Sequence, residues 1–462
     1  MTGIVLAREL SQEDFGLIGV LLIFQAFASL LVDSGFAYAL IQRQRPTKLD
    51  YSTVLWFNIA MSVVMYIILY LCAPVIAGFF HDSRLIALSR VMFLSIVLNA
   101  TAIVQANRLT KAMDVRMVAA SNSIGLVVGG VAGITLAVAG YGAWAIVSQT
   151  LLLAACKSFV LWTSTRWRPL WRFSWVSLKS FFGIGSRMMV TSFLNTLFLN
   201  IYSFFIGHNV GLVSLGYYTQ SDKWSKMGIS SISQVLTSSF LPALSAVQDS
   251  RLRFRAMVSK MNRFTSYLLF PAMIGLMTMA KPLFHTLFGS KWDPSVFLFQ
   301  LLLLRGIFVV LNSLYTNYLL ALGHGSAIVK LEVLRDLAAV VALAIAFPFM
   351  SLSTPDDPVY GIRLLLYGQL AATVITWAVS FVITVRTTGA GALRFIKDML
   401  PYFMQTVLIA PVMMLSAMPF EAPWLKLIAM ASTAVVLYVG GNRFLHSKIQ
   451  QEVLAYLCGK KI

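Results

Sequence analysis

The chain has 462 residues, 58% of them hydrophobic and only 11% charged, where soluble globular proteins carry about 25% charged residues. Thirty-six Lys and Arg against seventeen Asp and Glu give a formal net charge of +19. That combination excludes an ordinary cytosolic enzyme, a disordered tail and a disulfide-stapled secreted domain, and describes an all-α polytopic membrane protein. A basic excess can also mean nucleic acid. Here the positive residues sit in short runs between long apolar stretches, so no nucleic-acid partner is expected.

A bilayer core of ~30 Å needs about 20 apolar residues per helix. On that template the first full span is 15–41, with Gln25, Ser29 and Asp33 at four-residue steps. Spans 51–77, 85–107, 117–138 and 141–162 complete an N-terminal lobe, 1–162. Within 117–138, Gly125, Gly129 and Gly133 form a small-residue stripe whose simplest use is tight helix packing. A cytoplasmic linker follows at 163–178, where Trp167, Trp171 and Trp175 interleave with Arg166, Arg168 and Arg172, and Pro169 argues against one continuous helix. Trp and Arg together read as an interfacial segment among anionic headgroups.

The C-terminal lobe, 179–386, is expected to hold spans 179–206, 217–244, 264–287, 295–321, 326–350 and 359–385. Polar residues recur on single faces here too. Gly183, Arg187, Thr191 and Asn195 do so in 179–206, and Thr219, Asp222, Lys226, Ser230, Ser233 and Thr237 in 217–244. Arg305, Asn312 and Thr316 share a face of 295–321. Such stripes line a wet cavity or hydrogen-bond to neighbouring helices. Two additional spans, 400–418 and 424–441, lie within 387–441, for a total of thirteen. The tail, 442–462, places Ile449, Val453, Leu454 and Leu457 on one face and is expected to lie on the inner leaflet.

The loops alternate in charge. Arg43–Lys48, Arg108–Arg116, Arg166–Lys179, Arg251–Arg263, Arg394–Lys397 and Arg443–Lys461 are basic; the loops between them are not. The positive-inside rule makes the basic set, and the C-terminus, cytoplasmic. Cys72, Cys156 and Cys458 show no CxxC spacing, and His81, His208, His285, His324 and His446 are scattered, so neither disulfide nor metal is expected.

A shift of two hundred residues aligns Val5–Leu17 with Phe205–Tyr217, so that Gly16 and Gly216 each open a helix. Both segments are expected outside and enter the membrane in one direction, as in two halves related by an axis along the membrane normal. In the second half a whole helix, 179–206, precedes the turn. The first half is therefore expected to start inside its own first helix, with Thr2–Ala7 as a stub, either through a misassigned start or a shortened chain.

The segments LARELSQEDFGLIG, LVDSGFAYALIQR, DYSTVLWFN, LGYYTQSDKW, FLPALSAVQ and LFGSKWDPS resemble those of Wzx-type flippases. These are lipopolysaccharide and polysaccharide biosynthesis proteins of the multidrug/oligosaccharidyl-lipid/polysaccharide (MOP) exporter superfamily. The resemblance runs from Thr2 to about Arg386 and lacks most of the first helix. It implies two pseudo-symmetric six-helix lobes around a central cavity, alternating access in the bacterial inner membrane, and an undecaprenyl-diphosphate-linked oligosaccharide as substrate. Membrane lipids and a polysaccharide polymerase or export machinery are the partners such a protein would have. The alternatives are a multidrug or metabolite antiporter of the same architecture, or a membrane-embedded polymerase or glycosyltransferase. Short outer loops and the lack of a phosphate-binding loop argue against an enzyme.

Nine ionisable residues fall within spans: Asp33, Arg187, Asp222, Lys223, Lys226, Arg305, Glu332, Arg335 and Asp336. Each would cost about 2.5–3.5 kcal/mol at a helix centre facing lipid. Asp222 with Lys226 and Glu332 with Arg335 can pair along their own helices. Arg187, Lys223 and Arg305 then stand as cations for a diphosphate, with Lys226 and Arg335 released to join them when a carboxylate is protonated. Asp33, Asp222, Glu332 and Asp336 are the candidate ion-coupling groups, for H+ or Na+; no other cofactor is implied. The alternative for all of these is a set of structural ion pairs.

Overall fold

The computed structural model describes residues 2–33, 36–353, 357–445 and 447–457; the side chains of Arg187, Val453, Leu454 and Leu457 fall outside that description, as do His446, Cys458, Lys460 and Lys461. Every regular element among the described residues is helical. Two compact units result, 1–219 and 220–462.

The first unit contains α1 (Thr2–Glu9), α2 (Gln12–Asp33), α3 (Phe36–Gln42), α4 (Lys48–Phe79), α5 (Arg84–Met92), α6 (Leu94–Lys111), α7 (Val115–Val138), α8 (Trp144–Ser164) and α9 (Trp175–Asn209). α10 (Leu212–Ser245) begins in the first unit and continues into the second. The second unit holds α11 (Arg251–Thr278), α12 (Ala280–Leu287), α13 (Asp293–Ala321), α14 (Gly325–Ala346), α15 (Tyr360–Thr388), α16 (Ala392–Ala417), α17 (Pro423–Phe444) and α18 (Lys448–Leu457). The expected lobes follow the order of spans, whereas these units follow packing: α9 lies against α2, α3 and α4 and so belongs with the first.

Among the described residues, eleven helices are long and apolar enough to cross a membrane, and the α11–α12 pair, bent by 66°, brings the number to twelve. The remaining expected span is α10, long enough at 34 residues but carrying Asp222, Lys223 and Lys226 in its apolar run. Three expected spans are divided: 85–107 at Phe93 into α5 and α6, 264–287 at Met279, and 326–350 where α14 gives way to a 3-10 helix at Phe347; 15–41 is described as α2 and α3, on either side of residues 34–35, which lie outside the description. Apolar composition sets a span's length but is indifferent to a bend in its backbone.

The glycine stripe of α7 does close a helix pair. A Cβ at Gly125 would lie 2.9 Å from the Leu153 carbonyl oxygen of α8, and one at Gly129 2.6 Å from that of Gln149. Only a missing side chain lets the two backbones approach this far.

The internal repeat also has a structural counterpart. α2 starts at Gln12 and α10 at Leu212, the same offset that aligns their sequences. A Cβ at Gly16 would meet the Leu212 carbonyl oxygen at 1.9 Å, and a Cβ at Gly216 the Gln12 carbonyl oxygen at 1.9 Å. Each aligned glycine thus seats the helix start of the other repeat. The turns after α6 and α13 match as well: Asp114 N donates to Leu109 O and His324 N to Leu319 O, both at 2.9 Å, around the positive-φ residues Met113 and Gly323.

The linker is docked on α4. Trp56 Nε1 donates to Leu170 O (2.9 Å), Leu170 N to Ser52 Oγ (2.8 Å) and Ser174 N to Thr53 Oγ1 (3.2 Å). Asp50 closes a capping box with Thr47, accepts from Ser177 Oγ and pairs with Arg43 at 3.4 Å. The DYSTVLWFN segment is therefore the seat of the linker. The expectation of a wholly interfacial linker is corrected here: Trp167 is buried against Tyr51 and Trp162, and Arg168 donates to the carbonyls of Trp162, Thr165 and Trp167. Those carbonyls end or follow α8 and need a donor. Trp171 and Trp175 remain exposed, as an interfacial segment requires.

Candidate functional site

The second unit encloses a cavity of about 400 Å³ between α10, α13, α14 and α15. Arg305, Asn312 and Thr316, expected on one face of α13, all line it, and Thr237 brings the end of the α10 stripe to the same space. From α14 come Glu332 and Arg335, and from α15 Thr373, Thr376 and Ser380. α10 reaches α13 closely because residue 306 is glycine, where a Cβ would lie 2.5 Å from Ile229 Cδ1.

The charges are arranged in two groups. Arg335 sits between two carboxylates of its own helix, Glu332 at 2.5 Å and Asp336 at 2.9 Å. The expected i,i+3 pair forms, and Asp336 joins it. Arg305, in contrast, is half-buried and donates through Nε to Thr373 Oγ1 at 3.2 Å, a neutral partner that leaves its charge uncompensated by that bond. The walls between them are amide and hydroxyl. Asn312 and Asn317 line it too, and Asn312 Oδ1 and Asn317 Nδ2 are buried atoms with no hydrogen-bond partner among the described residues. This surface can hold an oxygen-rich anion: Arg305 for charge, joined by Arg335 only when its carboxylates let go, and neutral groups for hydroxyls.

Other expected site residues lie elsewhere. Asp222 and Lys226 form their i,i+4 pair at 2.6 Å on α10. Lys223, beside them, is exposed on the same helix. Asp33 is half-buried at the end of α2 in the first unit. Arg187 lies on α9, its side chain outside the described set. Of the α2 stripe, Gln25 donates to Ser95 of α6 at 3.0 Å, which is interhelical bonding, while Ser29 is exposed.

One wall was missing from the sequence reading. Gln369, Thr373, Thr376, Ser380 and Thr384 of α15 are all buried and recur at three- and four-residue steps. The same periodicity that picked out α13 would have found them. They are uncharged, and two of the hydroxyls turn to their own helix, Thr373 to Gln369 O and Thr376 to Ala372 O, both at 2.8 Å.

The family described as "Polysaccharide biosynthesis protein" matches residues 5–297. The teichuronic acid biosynthesis protein TuaB of Bacillus subtilis (strain 168) is 27% identical over 305 residues, covering 64% of this chain and 62% of that protein, so the chain spans somewhat under two thirds of this relative. The succinoglycan biosynthesis transport protein ExoT of Rhizobium meliloti (strain 1021) is 25% identical over 340 residues, 74% of this chain and 69% of ExoT. The lipopolysaccharide biosynthesis protein WzxC of Escherichia coli (strain K12) is 24% identical, with coverage of 74% and 70%. Among solved structures, the lipid II flippase MurJ in an inward closed conformation matches with a TM-score of 0.71 over 96% of this chain and 97% of its own, at 13% identity. An inward-facing multidrug resistance MATE family transporter of the MOP superfamily matches at 0.63 over 84% and 95%, also at 13% identity. At such identities the likeness is one of fold.

Proposed function

This chain belongs to the polysaccharide biosynthesis protein family, and on that premise we propose that it is a flippase for an oligosaccharide linked to undecaprenyl diphosphate. It would act by alternating access in the bacterial inner membrane, with its C-terminus in the cytoplasm, as a transporter and not an enzyme. The observation that carries the reading is the cavity of the second unit, where Arg305 bonds a neutral hydroxyl among lining hydroxyl and amide groups and Arg335, held by Glu332 and Asp336, lines the same space. A diphosphate brings about two negative charges, and guanidinium groups bind its oxygens bidentately. Sugar hydroxyls need acceptors and donors, and Asn312 and Asn317 line the cavity.

The ion cluster of α14 suggests how release is coupled. With both carboxylates charged, Arg335 is held by Glu332 and Asp336. Protonation of Glu332, or Na+ bound to it, removes one of the two competitors and frees a guanidinium edge for phosphate. Asp222 and Lys226 can work in the same way on α10. An antiporter of cationic drugs, the second reading suggested by the fold, would need a cavity with acidic excess; Arg305 and Arg335 against Glu332 and Asp336 give none.

The test is charge reversal at Arg187, Lys223, Arg305 and Arg335, scored by surface polysaccharide in a strain lacking its own flippase, with membrane levels of each variant measured in parallel. Arg305→Glu and Arg335→Glu are expected to lower export at least about tenfold, since a charged hydrogen bond is worth about 1.5–3 kcal/mol. Full export by both variants at normal membrane levels would remove this cavity from the substrate path.

A further inference from the structure

A second polar cavity, about 270 Å³, lies in the same unit but among other helices: α11, α16, α17 and the start of α18. Arg263, Lys397 and Lys448 line it, with Asp398 as the one carboxylate. Asp398 is already engaged, accepting from Ser259 Oγ at 2.5 Å and lying 3.6 Å from Arg263 Nε. Lys397 and Lys448 make no ion pair among the described residues. Lys397 and Lys448 are thus exposed side chains lining a pocket whose one carboxylate among the described residues, Asp398, is engaged by Ser259 and Arg263. Neutral donors complete it: Tyr402, whose hydroxyl lies 3.1 Å from Ser447 Oγ, and Asn442.

α18 is fixed in place to form one wall of this pocket. Glu452 pairs with Lys260 of α11 at 2.7 Å, Gln450 Nε2 donates to Val439 O of α17 at 2.9 Å, and Ile449 is buried. The pocket also sits at the end of α17 and the start of α18, with Arg394 three residues before Lys397 on α16 and Arg443 next to Asn442 on α17. By the charge alternation this is the end of the helices at the inner headgroup layer.

We propose that this pocket is an anion site for a phosphate group, separate from the substrate cavity, and that an anionic phospholipid headgroup or free phosphate occupies it. The chemistry is that of a basic pocket between membrane helices, in which lysine ammonium groups balance a phosphodiester and tyrosine and amide donors bind its oxygens. Bound there, the phosphate ties α18 to α11 and α16.

The experiment uses the purified full chain in detergent, titrated with phosphatidylglycerol, phosphatidylcholine or inorganic phosphate and followed by native mass spectrometry and thermal unfolding. Phosphatidylglycerol is expected to bind the unaltered protein about tenfold more tightly than the Lys397→Gln/Lys448→Gln variant. Binding of phosphatidylglycerol alone identifies the lipid as the source, and equal protection by inorganic phosphate identifies the free anion. Ser447→Asp gives an independent check. Aspartate suits the start of a helix, so α18 is retained, while its carboxylate neutralises Lys448 and is expected to weaken binding likewise. Equal binding by all three proteins, or equal binding of zwitterionic phosphatidylcholine, overturns the proposal.

Discussion

The helix pairs α7–α8 and α14–α15 occupy corresponding places in the two halves of the repeat, yet one is a dry seam and the other borders a cavity. Both rest on stripes at three- and four-residue spacing. In α7 the stripe is Gly125, Gly129 and Gly133, and the backbone of α8 fills the space. In α15 it is Thr373, Thr376 and Ser380, and the space before it stays open beside Arg305, Glu332 and Arg335. Equal periodicity therefore decides that a face is special, while side-chain size and polarity decide whether a neighbour or a solute takes it.

Enlarging the two stripes should break this contrast. Gly129→Leu drives a side chain into the Gln149 carbonyl and is expected to cost about 3 kcal/mol or the fold itself, read as lost thermal stability in detergent. Thr376→Leu enters open volume and should change stability by less than about 1 kcal/mol while abolishing polysaccharide export. Equal stability loss in both would mean that the cavity has no functional room.

A finer contrast concerns two arginines that each bridge two carboxylates. Arg335 lies between Glu332 and Asp336 at the cavity; Arg84 lies between Asp82 and Glu13, at 2.6 and 2.5 Å, in the first unit. Glu332→Gln should flatten the dependence of transport on pH or sodium, measured in vesicles, and leave unfolding nearly unchanged. A variant with the unaltered gradient response would exclude Glu332 from coupling. The Arg84 cluster should act on stability alone. Hydrogen bonds from Arg84 hold the Asp82 carboxyl below the usual carboxylate range. Its contribution is therefore present above about pH 4 and lost as pH falls through the depressed value. Half-exposed Arg84 limits the size to less than about 1 kcal/mol. Melting temperature followed against pH should show this component in the unaltered protein and not in Asp82→Asn.

Much of the site could be read from charged residues alone. Arg305, Glu332 and Arg335 announce themselves because an ionised group in an apolar helix has few places to go. Thr373, Thr376 and Ser380 do not, since a hydroxyl can satisfy itself on its own helix and so passes as ordinary span sequence. Gln25 shows the converse: a stripe member whose amide is used by Ser95 of α6, a partner seventy residues away that no local pattern indicates. Arg168 is similar, an apparent headgroup contact that instead closes the end of α8.

Hydropathy, charge alternation and the two-hundred-residue repeat are local or periodic quantities, and they suffice to read a helical chain that crosses a membrane many times and is built twice over. The breaks at Phe93 and Met279, the reciprocal seating of Gly16 and Gly216, and the choice between a packed seam and an open cavity depend on which side chains meet across helices. Those features emerge in the folded chain alone, because close packing is a property of pairs of surfaces and not of either one.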